Sequence, residues 1–367
     1  MDETLEQGKV KVDFSSLIIE IIKAVVFLWD FITYPIYEVI YKRSERKKWG
    51  KEPNTKCLSQ FTSDSQMVFE SSEKTSKFYS KFIQTQSKTI GEAWNWAVKT
   101  YTCKPALGTR EILKEEDEIQ KSGKVFKKYN LGDYRWQTYE DVDYNADYLG
   151  RGLRSLNLNH GQNICIFADT RAEWFITAQA CFKQGYPIVT LYTNLGDEAI
   201  VHGINETEVT HIVTTHELLP KFRKILPKTP NVSHVIYMEH QVERTIVDDY
   251  PENVQILPLF DVIHTGKKLS RSKESMDPVP PTEEDAAIIM YTSGSTGIPK
   301  GVIISHRNLL ATATGMMQLL NEENSKIILE GKEIYLAYLP LAHVLELLQE
   351  NVNILYGMRI GYSTPNT

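Results

Sequence analysis

Cysteine is scarce in this chain of 367 residues, which contains only four. They are Cys57, Cys103, Cys165 and Cys181, and no two of them form a Cys-x-x-Cys pair. The sequence therefore predicts no disulfide framework and indicates a reducing compartment. Basic charge is not in excess either, because 41 Lys and Arg residues are outnumbered by 47 Asp and Glu. The net charge of −6 argues against a nucleic-acid partner for the chain as a whole.

A long uninterrupted apolar run is also missing, although a membrane-spanning helix needs about 18 such residues. The most apolar stretch, residues 14–41, contains Pro35 and four charged side chains. On a helical wheel, at about 100° per residue, these charges share an arc of about 80° and leave a wide apolar face. The pattern predicts a helix that lies in the membrane interface with its charged edge towards water. The charged residues are Glu20, Lys23, Asp30 and Glu38.

Residues 42–51 follow this stretch and carry a net charge of +5. Such a basic cluster favours contact with anionic lipid headgroups on the cytosolic side of a membrane. A cleaved signal peptide is not expected, because the preceding residues are acidic and no small-residue cleavage site follows. Residues 14–51 are therefore predicted to bind membrane lipid. A spanning helix, and an amphipathic helix packed on the protein's own core, are the alternatives.

The rest of the sequence alternates between helical and strand patterns from about residue 89. Hydrophobic residues at 42 % and charged residues at 24 % are typical of globular domains. Buried strands separated by helices imply βαβ units, and hence an α/β fold with mainly parallel, doubly wound sheet layers. Strands are predicted at residues 163–168, 187–191, 211–214 and 234–238, and helices at residues 137–156, 171–184, 197–205 and 217–225.

Five segments follow from these patterns. Residues 1–51 are the membrane anchor with its basic flank, and residues 52–88, which are rich in Ser, Lys, Gln and Thr, are predicted to be a linker. Residues 89–265 form a first α/β subdomain. Residues 266–285 are polar and contain three prolines, so they are predicted to connect to a second subdomain at residues 286–367.

One loop carries most of the predicted chemistry and lies between two apolar runs, residues 286–291 and 302–305. Its ten residues, 292–301, include four hydroxyl side chains, three glycines and one lysine. Glycine lets the backbone turn its N–H groups towards a ligand, and the hydroxyl groups add further donors. Together with the cation of Lys300, these groups predict a cradle for phosphate oxygens. The predicted phosphate ligands are Thr292, Ser293, Gly294, Ser295, Thr296, Gly297 and Lys300.

This loop differs from a Walker A loop, which has the pattern Gly-x₄-Gly-Lys-[Ser/Thr] and opens a helix. Here Lys300 follows Gly297 by three residues, Pro299 removes one backbone donor, and another apolar strand comes next. The sequence therefore predicts a strand–loop–strand hairpin that binds a polyphosphate, and it disfavours a P-loop NTPase. A solvated hairpin turn without a ligand is the structural alternative.

Residues 291–302, Tyr-Thr-Ser-Gly-Ser-Thr-Gly-Ile-Pro-Lys-Gly-Val, resemble the signature loop of the adenylate-forming superfamily. Other stretches resemble the long-chain acyl-CoA synthetases of animals. These stretches are residues 107–112, 170–174, 189–192, 201–206, 338–346 and 356–363. The resemblance runs from about residue 89 to the last residue, and it implies the N-terminal domain fold of that family.

The resemblance implies a two-step ligation that uses ATP, Mg²⁺ and coenzyme A. A long-chain fatty acid attacks the α-phosphorus of ATP to give an acyl-adenylate and pyrophosphate, and the thiol of coenzyme A then displaces AMP. It implies that the loop binds the β- and γ-phosphates and that Lys300 and His343 belong to the catalytic site. His343 fits equally well as a histidine that caps a helix beginning near Ala342. No metal site is predicted from His343 and Glu346, because a third ligand is missing.

The resemblance also implies parts that this sequence does not contain, since family members continue well beyond the position of Thr367. Those parts include a Glu that helps to hold Mg²⁺, an Asp that binds ribose and a mobile C-terminal domain. We therefore expect an incomplete form that is inactive or nearly so, with uncovered apolar surface that favours self-association. The alternative is a non-catalytic, membrane-bound nucleotide-binding fragment or a modulator of the full-length enzyme. The endoplasmic reticulum is the expected membrane, ahead of the outer mitochondrial membrane and the lipid droplet.

Overall fold

A computed structural model describes residues 55–60, 67–71, 77–119, 125–271, 279–292, 299–319 and 333–363. They belong to two compact units, residues 1–74 and residues 75–367. The predicted membrane-binding stretch, residues 14–51, lies outside the described part of the chain. Among the residues that are described, no helix is both long and apolar enough to cross a bilayer.

The first unit contains an antiparallel hairpin of two strands, β1 (Thr55–Gln60) and β2 (Met67–Ser71). Helix α1 (Lys77–Ile83) belongs to the second unit. The segment 52–88, predicted to be a linker, therefore contains regular structure. Its strands mix polar and apolar residues without strict alternation, so hydrophobic periodicity gives no strand signal there.

Seven strands of the second unit form one sheet. They are β5 (Ile164–Phe167), β6 (Ile188–Thr190), β7 (His211–Thr215), β8 (His234–Met238), β9 (Gln255–Pro258), β10 (Ala286–Thr292) and β11 (Lys300–Ser305). Their order across the sheet is β11-β10-β6-β5-β7-β8-β9. All neighbours are parallel except β10 and β11, which are antiparallel. The predicted α/β fold with a mainly parallel sheet is therefore present.

The central strands of this sheet are buried on both faces, as a parallel sheet covered by helices requires. Every residue of β5, β6 and β7 is buried. Short apolar runs predicted β5, β6, β7 and β8, and the structure confirms each of them to within one residue at either end.

Four further strands form a second sheet. They are β3 (Pro105–Ile119), β4 (Val125–Thr138), β12 (Ile334–Ala337) and β13 (Arg359–Tyr362), in the order β12-β13-β3-β4. β12, β13 and β3 are parallel, whereas β3 and β4 form a long antiparallel ribbon. Both sheets thus take strands from either side of the predicted connection at residues 266–285. The two predicted subdomains share their sheets, which sequence periodicity cannot reveal because it does not report strand pairing.

The helices of the second unit include α2 (Ile90–Tyr101), α3 (Tyr139–Ser155), α4 (Ala172–Gln184), α5 (Asp197–Glu206), α6 (Phe222–Ile225), α7 (Leu259–Leu269), α8 (His306–Leu319) and α9 (Val344–Leu355). The helices predicted at residues 137–156, 171–184 and 197–205 are confirmed as α3, α4 and α5. The helix predicted at 217–225 is reduced to the single turn α6 between two 3₁₀ turns. Pro220 and Pro227 lie in those turns and lack the N–H that an α-helix needs.

Helices α3 and α7 pack against each other through two glycines, Gly152 and Gly266. A Cβ atom at Gly266 would lie 1.7 Å from the carbonyl oxygen of Tyr148, and one at Gly152 would lie 2.2 Å from that of Val262. Both oxygens belong to helix backbone, so neither can give way unless a helix moves. Glycine at these two positions therefore allows the backbones of α3 and α7 to approach closely.

Replacing Gly266 with alanine is expected to lower the free energy of unfolding by about 3 kcal/mol, because the new methyl group forces α3 and α7 apart. Equilibrium unfolding in urea measures the change. Gly315 is the matched control, since it is exposed on α8 and a Cβ there meets nothing within 4 Å. Gly315→Ala should stabilise the protein by up to about 1 kcal/mol. A Gly266→Ala protein as stable as the wild type would contradict this helix crossing.

Candidate active site

A cavity of about 300 Å³ lies where strands of both sheets end. Its walls are formed by residues at or just after the carboxyl ends of β5, β6, β12 and β13, which is where ligands bind in open α/β sheets. Small apolar groups and polar side chains share the lining, so the cavity suits a ligand with both kinds of surface. The polar lining residues include Asp169, Thr170, Thr193, Asn194, Tyr338 and Ser363.

The predicted phosphate loop joins β10 to β11, which pair as a hairpin that closes at Thr292 and Lys300. The strand after Lys300 confirms the predicted strand–loop–strand arrangement and excludes the helix of a Walker A loop. β10 runs parallel to β6, with Met290 opposite Thr190. Thr292 therefore lies at the same sheet edge as the cavity. The other predicted phosphate ligands, Ser293, Gly294, Ser295, Thr296 and Gly297, lie outside the described residues.

Tyr291 fixes the base of this hairpin. Its side chain is buried, and its hydroxyl group donates a hydrogen bond to Oε2 of Glu206 at the end of α5. Burial, and then the bond to this carboxylate, raise the pKa of Tyr291 well above its usual range. The phenol therefore stays a neutral donor that ties β10 to α5. Lys300, in contrast, is exposed on β11.

The second predicted catalytic residue, His343, lies at the start of α9. It is the N-cap of that helix, and its Nδ1 accepts a hydrogen bond of 3.1 Å from the backbone N–H of Leu345. This is the capping arrangement that the sequence left open as an alternative. The neighbouring Ala342 lines the cavity, whereas His343 itself is exposed. Because Nδ1 accepts, the neutral ring carries its proton on Nε2.

Asp169 contributes a carboxyl group to the cavity. Its Oδ1 accepts a hydrogen bond of 3.0 Å from the hydroxyl group of Thr193. Burial raises the pKa of Asp169 above its ordinary value, and the nearby charge of Glu217 adds to the effect. A second cavity of about 60 Å³ also contains Asp169, Thr170 and Ser363 in its walls. These three residues therefore separate two neighbouring spaces at the sheet edge.

Two buried carboxyl groups of α9 lie beside β12 and β13. Glu346 accepts a hydrogen bond of 2.8 Å from the hydroxyl of Tyr335, and Glu350 accepts one of 2.6 Å from that of Tyr362. Burial raises the pKa of both carboxyl groups. Glu346 and His343, which have metal-ligand spacing in the sequence, thus bond to separate partners. Within the described ranges, no group of three or more His, Cys, Asp or Glu side chains is arranged to hold a metal ion.

A protein-family model described as AMP-binding enzyme matches residues 115–367, which is more than half of the chain. The match includes the β10–β11 hairpin and all the polar residues of the cavity. The chain belongs to the AMP-binding enzyme family. This agrees with the resemblance of residues 291–302 to the signature loop of adenylate-forming enzymes.

Curated relatives of this chain include a long-chain acyl-CoA synthetase and a long-chain-fatty-acid–CoA ligase. Long chain acyl-CoA synthetase 8 of Arabidopsis thaliana is 36 % identical over 281 residues, which are 76 % of this chain and 38 % of the relative. Long-chain-fatty-acid–CoA ligase 1 of Schizosaccharomyces pombe is 32 % identical over 310 residues, 80 % of this chain and 44 % of the relative. The chain thus spans less than half the length of these two relatives. The closer resemblance to animal enzymes stays a prediction.

A solved structure with the same architecture is the adenylation domain of carboxylic acid reductase from Segniliparus rugosus, in complex with AMP and a carboxylic acid. It matches this chain with a TM-score of 0.61 at 16 % sequence identity. The match covers 78 % of this chain and 46 % of the reductase domain. At this identity the likeness shows the α/β adenylate-forming fold alone.

Sequence patterns offered Tyr338 as a pocket-lining residue, with a core aromatic as the alternative, but did not identify Asp169, Thr170 or Thr193. Asp169 and Thr170 come two and three residues after the end of β5, and Thr193 comes three residues after the end of β6. Their position was the available signal, because polar residues directly after neighbouring parallel strands meet at one edge. Using that signal requires the strand order, which this sequence alone does not provide.

Proposed function

We propose that this chain serves the ATP-dependent ligation of long-chain fatty acids to coenzyme A through an acyl-adenylate. The observation that carries the proposal is the β10–β11 hairpin, whose closing pair lies at the same sheet edge as the cavity. The plant and yeast relatives, named as a long-chain acyl-CoA synthetase and a long-chain-fatty-acid–CoA ligase, support the substrate class.

In this proposal the loop from Thr292 to Lys300 binds the triphosphate. Backbone N–H groups and hydroxyl groups donate to the phosphate oxygens, and the ammonium group of Lys300 balances charge on the β- and γ-phosphates. The donor set suits anionic oxygens, because residues 292–300 include no carboxylate. Mg²⁺, when bound, would further neutralise the charge of the triphosphate.

The cavity is the proposed site of the junction between the acyl group and the phosphate. A volume of about 300 Å³ is at the low end for a ligand pocket, so it suits this junction rather than a whole acyl-adenylate. His343, with its proton on Nε2, is proposed to border the junction next to Ala342. Coenzyme A is the proposed acyl acceptor.

The test measures binding of ATP and of a non-hydrolysable palmitoyl-adenylate analogue to the purified chain, together with palmitoyl-CoA formation. We expect both ligands to bind, because the hairpin and the cavity to which the proposal assigns them both belong to this chain. Failure to bind either ligand would overturn the proposal. Binding of ATP without the analogue would favour the nucleotide-binding module instead, and palmitoyl-CoA formation would show that this chain completes the ligation by itself.

We also propose that residues 14–51 hold the chain at the cytosolic face of a membrane, in the first place the endoplasmic reticulum. The support is the amphipathic pattern of residues 14–41 and the net charge of +5 over residues 42–51. Co-sedimentation with phosphatidylserine vesicles should be strong for the full chain and weak for a chain that begins at residue 52. Equal sedimentation of the two would contradict the assignment.

A further inference from the structure

Residues 338–343, here called the cleft turn, run from the end of β12 to the start of α9 without regular structure. Such a segment leaves the hydrogen-bond ladder of its strand, so its buried backbone groups need other partners. One side-chain hydroxyl serves two of them. The hydroxyl of Thr170 donates to the carbonyl oxygen of Leu339 at 2.7 Å and accepts from the N–H of Leu341 at 2.9 Å.

Two further hydrogen bonds complete the support of the cleft turn. The hydroxyl of Thr190, the last residue of β6, donates to the carbonyl oxygen of Ala342 at 3.3 Å. The N–H of His343 donates to the carbonyl oxygen of Pro340 at 2.9 Å within the turn. Thr170 follows β5 and Thr190 ends β6, and both strands are central in the seven-stranded sheet. These two threonines thus hold a turn that follows β12, an edge strand of the four-stranded sheet.

The cleft turn is also a wall of the cavity, because Tyr338, Pro340 and Ala342 line it. The opposite walls come from residues after β5 and β6. The two hydrogen bonds of Thr170 therefore set the distance between walls that belong to different sheets. Thr170 is separated from its two partners by 169 and 171 residues in sequence, so no local geometry brings them together.

We propose that Thr170 is a positioning residue, whose hydroxyl group holds the cleft turn in the place that binding of an acyl-adenylate requires. This inference rests on the proposed function. The hydroxyl is already engaged as donor and acceptor, so it acts on the ligand through the turn. It also fixes the backbone that leads into His343 and α9.

Three substitutions separate positioning from a general structural role. Thr170→Val keeps the shape of the side chain but leaves the carbonyl of Leu339 and the N–H of Leu341 without their partner. Thr170→Ser keeps the hydroxyl group. Thr177→Val is the matched control, since Thr177 is buried in α4, its hydroxyl donates to the carbonyl oxygen of Glu173, and it lines neither cavity.

Two measurements are made on the full 367-residue chain. Hydrogen exchange of peptides that cover residues 338–343 reports whether the turn is held, and calorimetry reports the affinity for the non-hydrolysable palmitoyl-adenylate analogue. We expect Thr170→Val to accelerate exchange in the cleft turn and to weaken analogue binding, each by at least about tenfold. Thr170→Ser should stay within about threefold of the wild type in both, as should Thr177→Val.

The outcomes distinguish this inference from the proposed function. Unchanged exchange at residues 338–343 in Thr170→Val would overturn the inference, as would faster exchange with unchanged analogue affinity. Equal losses of affinity in Thr170→Val and Thr177→Val would also overturn it, since any lost buried hydroxyl would then have the same effect. If the wild-type chain binds no analogue, the proposed function fails, and the positioning role of Thr170 falls with it even where exchange shows the turn to be held.

Discussion

Replacement of Lys300 by alanine is expected to weaken ATP binding by roughly 10- to 100-fold, which corresponds to the loss of one charged hydrogen bond. Affinity for AMP should stay unchanged, because the proposed contacts of Lys300 are with the β- and γ-phosphates. Lys300 is exposed on β11, so its removal leaves no cavity in the core and the unfolding temperature should not change. Isothermal titration with ATP and with AMP measures both affinities.

Two comparisons make this result specific to the position of Lys300. Lys300→Arg keeps the charge and should recover part of the ATP affinity. Lys268→Ala removes an exposed lysine from α7 and should have no effect on either nucleotide. Equal losses of ATP and AMP affinity in Lys300→Ala would place the lysine elsewhere on the nucleotide, and no loss at all would remove it from the phosphate site.

Acidification from pH 7 to pH 4 is expected to lower the free energy of unfolding, because the fold keeps buried histidines neutral, above all His211 and His306. Burial lowers the pKa of His211 to about 4, with a smaller effect of His234, and burial lowers the pKa of His306 to about 4 as well. Below about pH 6.5 these histidines bind protons in the unfolded chain but not in the folded chain. The free energy of unfolding therefore decreases between pH 6.5 and pH 4. The loss should be about 3 kcal/mol for each histidine.

The contacts of His211 explain why the neutral ring fits. Its Nδ1 accepts from the hydroxyl of Thr210 and its Nε2 donates to the carbonyl oxygen of Leu156, which are 2.8 and 3.1 Å away. The ring also stacks on that of His234 at a centroid distance of 4.5 Å. A proton added to Nδ1 would reverse the direction of the first bond and place charge against a second imidazole.

Urea unfolding at several pH values tests this acid dependence. His211→Gln should reduce the fall in unfolding free energy between pH 6.5 and pH 4 by about 3 kcal/mol. His264→Gln, at an exposed position of α7, should leave the fall unchanged. The pH profile of each variant is compared with that of the wild type, because Glu346 and Glu350 have the opposite effect on stability. Their raised pKa values favour the folded state as the pH decreases. An unchanged profile in His211→Gln would contradict the assignment.

The strands that the sequence predicts best are those whose burial is continuous. Residues 163–168 and 187–191 are short apolar runs because helices cover both faces of the sheet, so the side chains that point to either face are mostly apolar. The ribbon of β3 and β4 is different. Its outer part, residues 114–118, reads Lys-Glu-Glu-Asp-Glu and is largely exposed. Hydrogen bonds to β4 and ion pairs of Lys127 with Glu115 and Asp117 support it, so it has no hydrophobic signature.

The candidate site also has one part that the sequence predicts and one part that it does not. The loop at residues 292–300 is local in sequence, so its glycines, hydroxyl groups and lysine were recognisable together. The cavity is not local, because residues near 169, 193 and 338 meet only after two sheets have formed. Thr170 illustrates the limit, since its hydroxyl bonds to backbone atoms 169 and 171 residues away. Because the hydroxyl bonds to backbone atoms, the residue types at positions 339 and 341 give no sign of the contact.

The strand order of the seven-stranded sheet also has a consequence for synthesis of the protein. β6 lies between β5 and β10, and Ile188 of β6 pairs with Ile288 of β10. At about 5–20 residues per second, the ribosome needs roughly 5–20 s to reach β10 after it has made β6. During that time the nascent sheet presents the open edge of β6, with unpaired N–H and C=O groups, to other chains. A chaperone that shields this edge would thus matter most during translation, before the β10–β11 hairpin has left the ribosome.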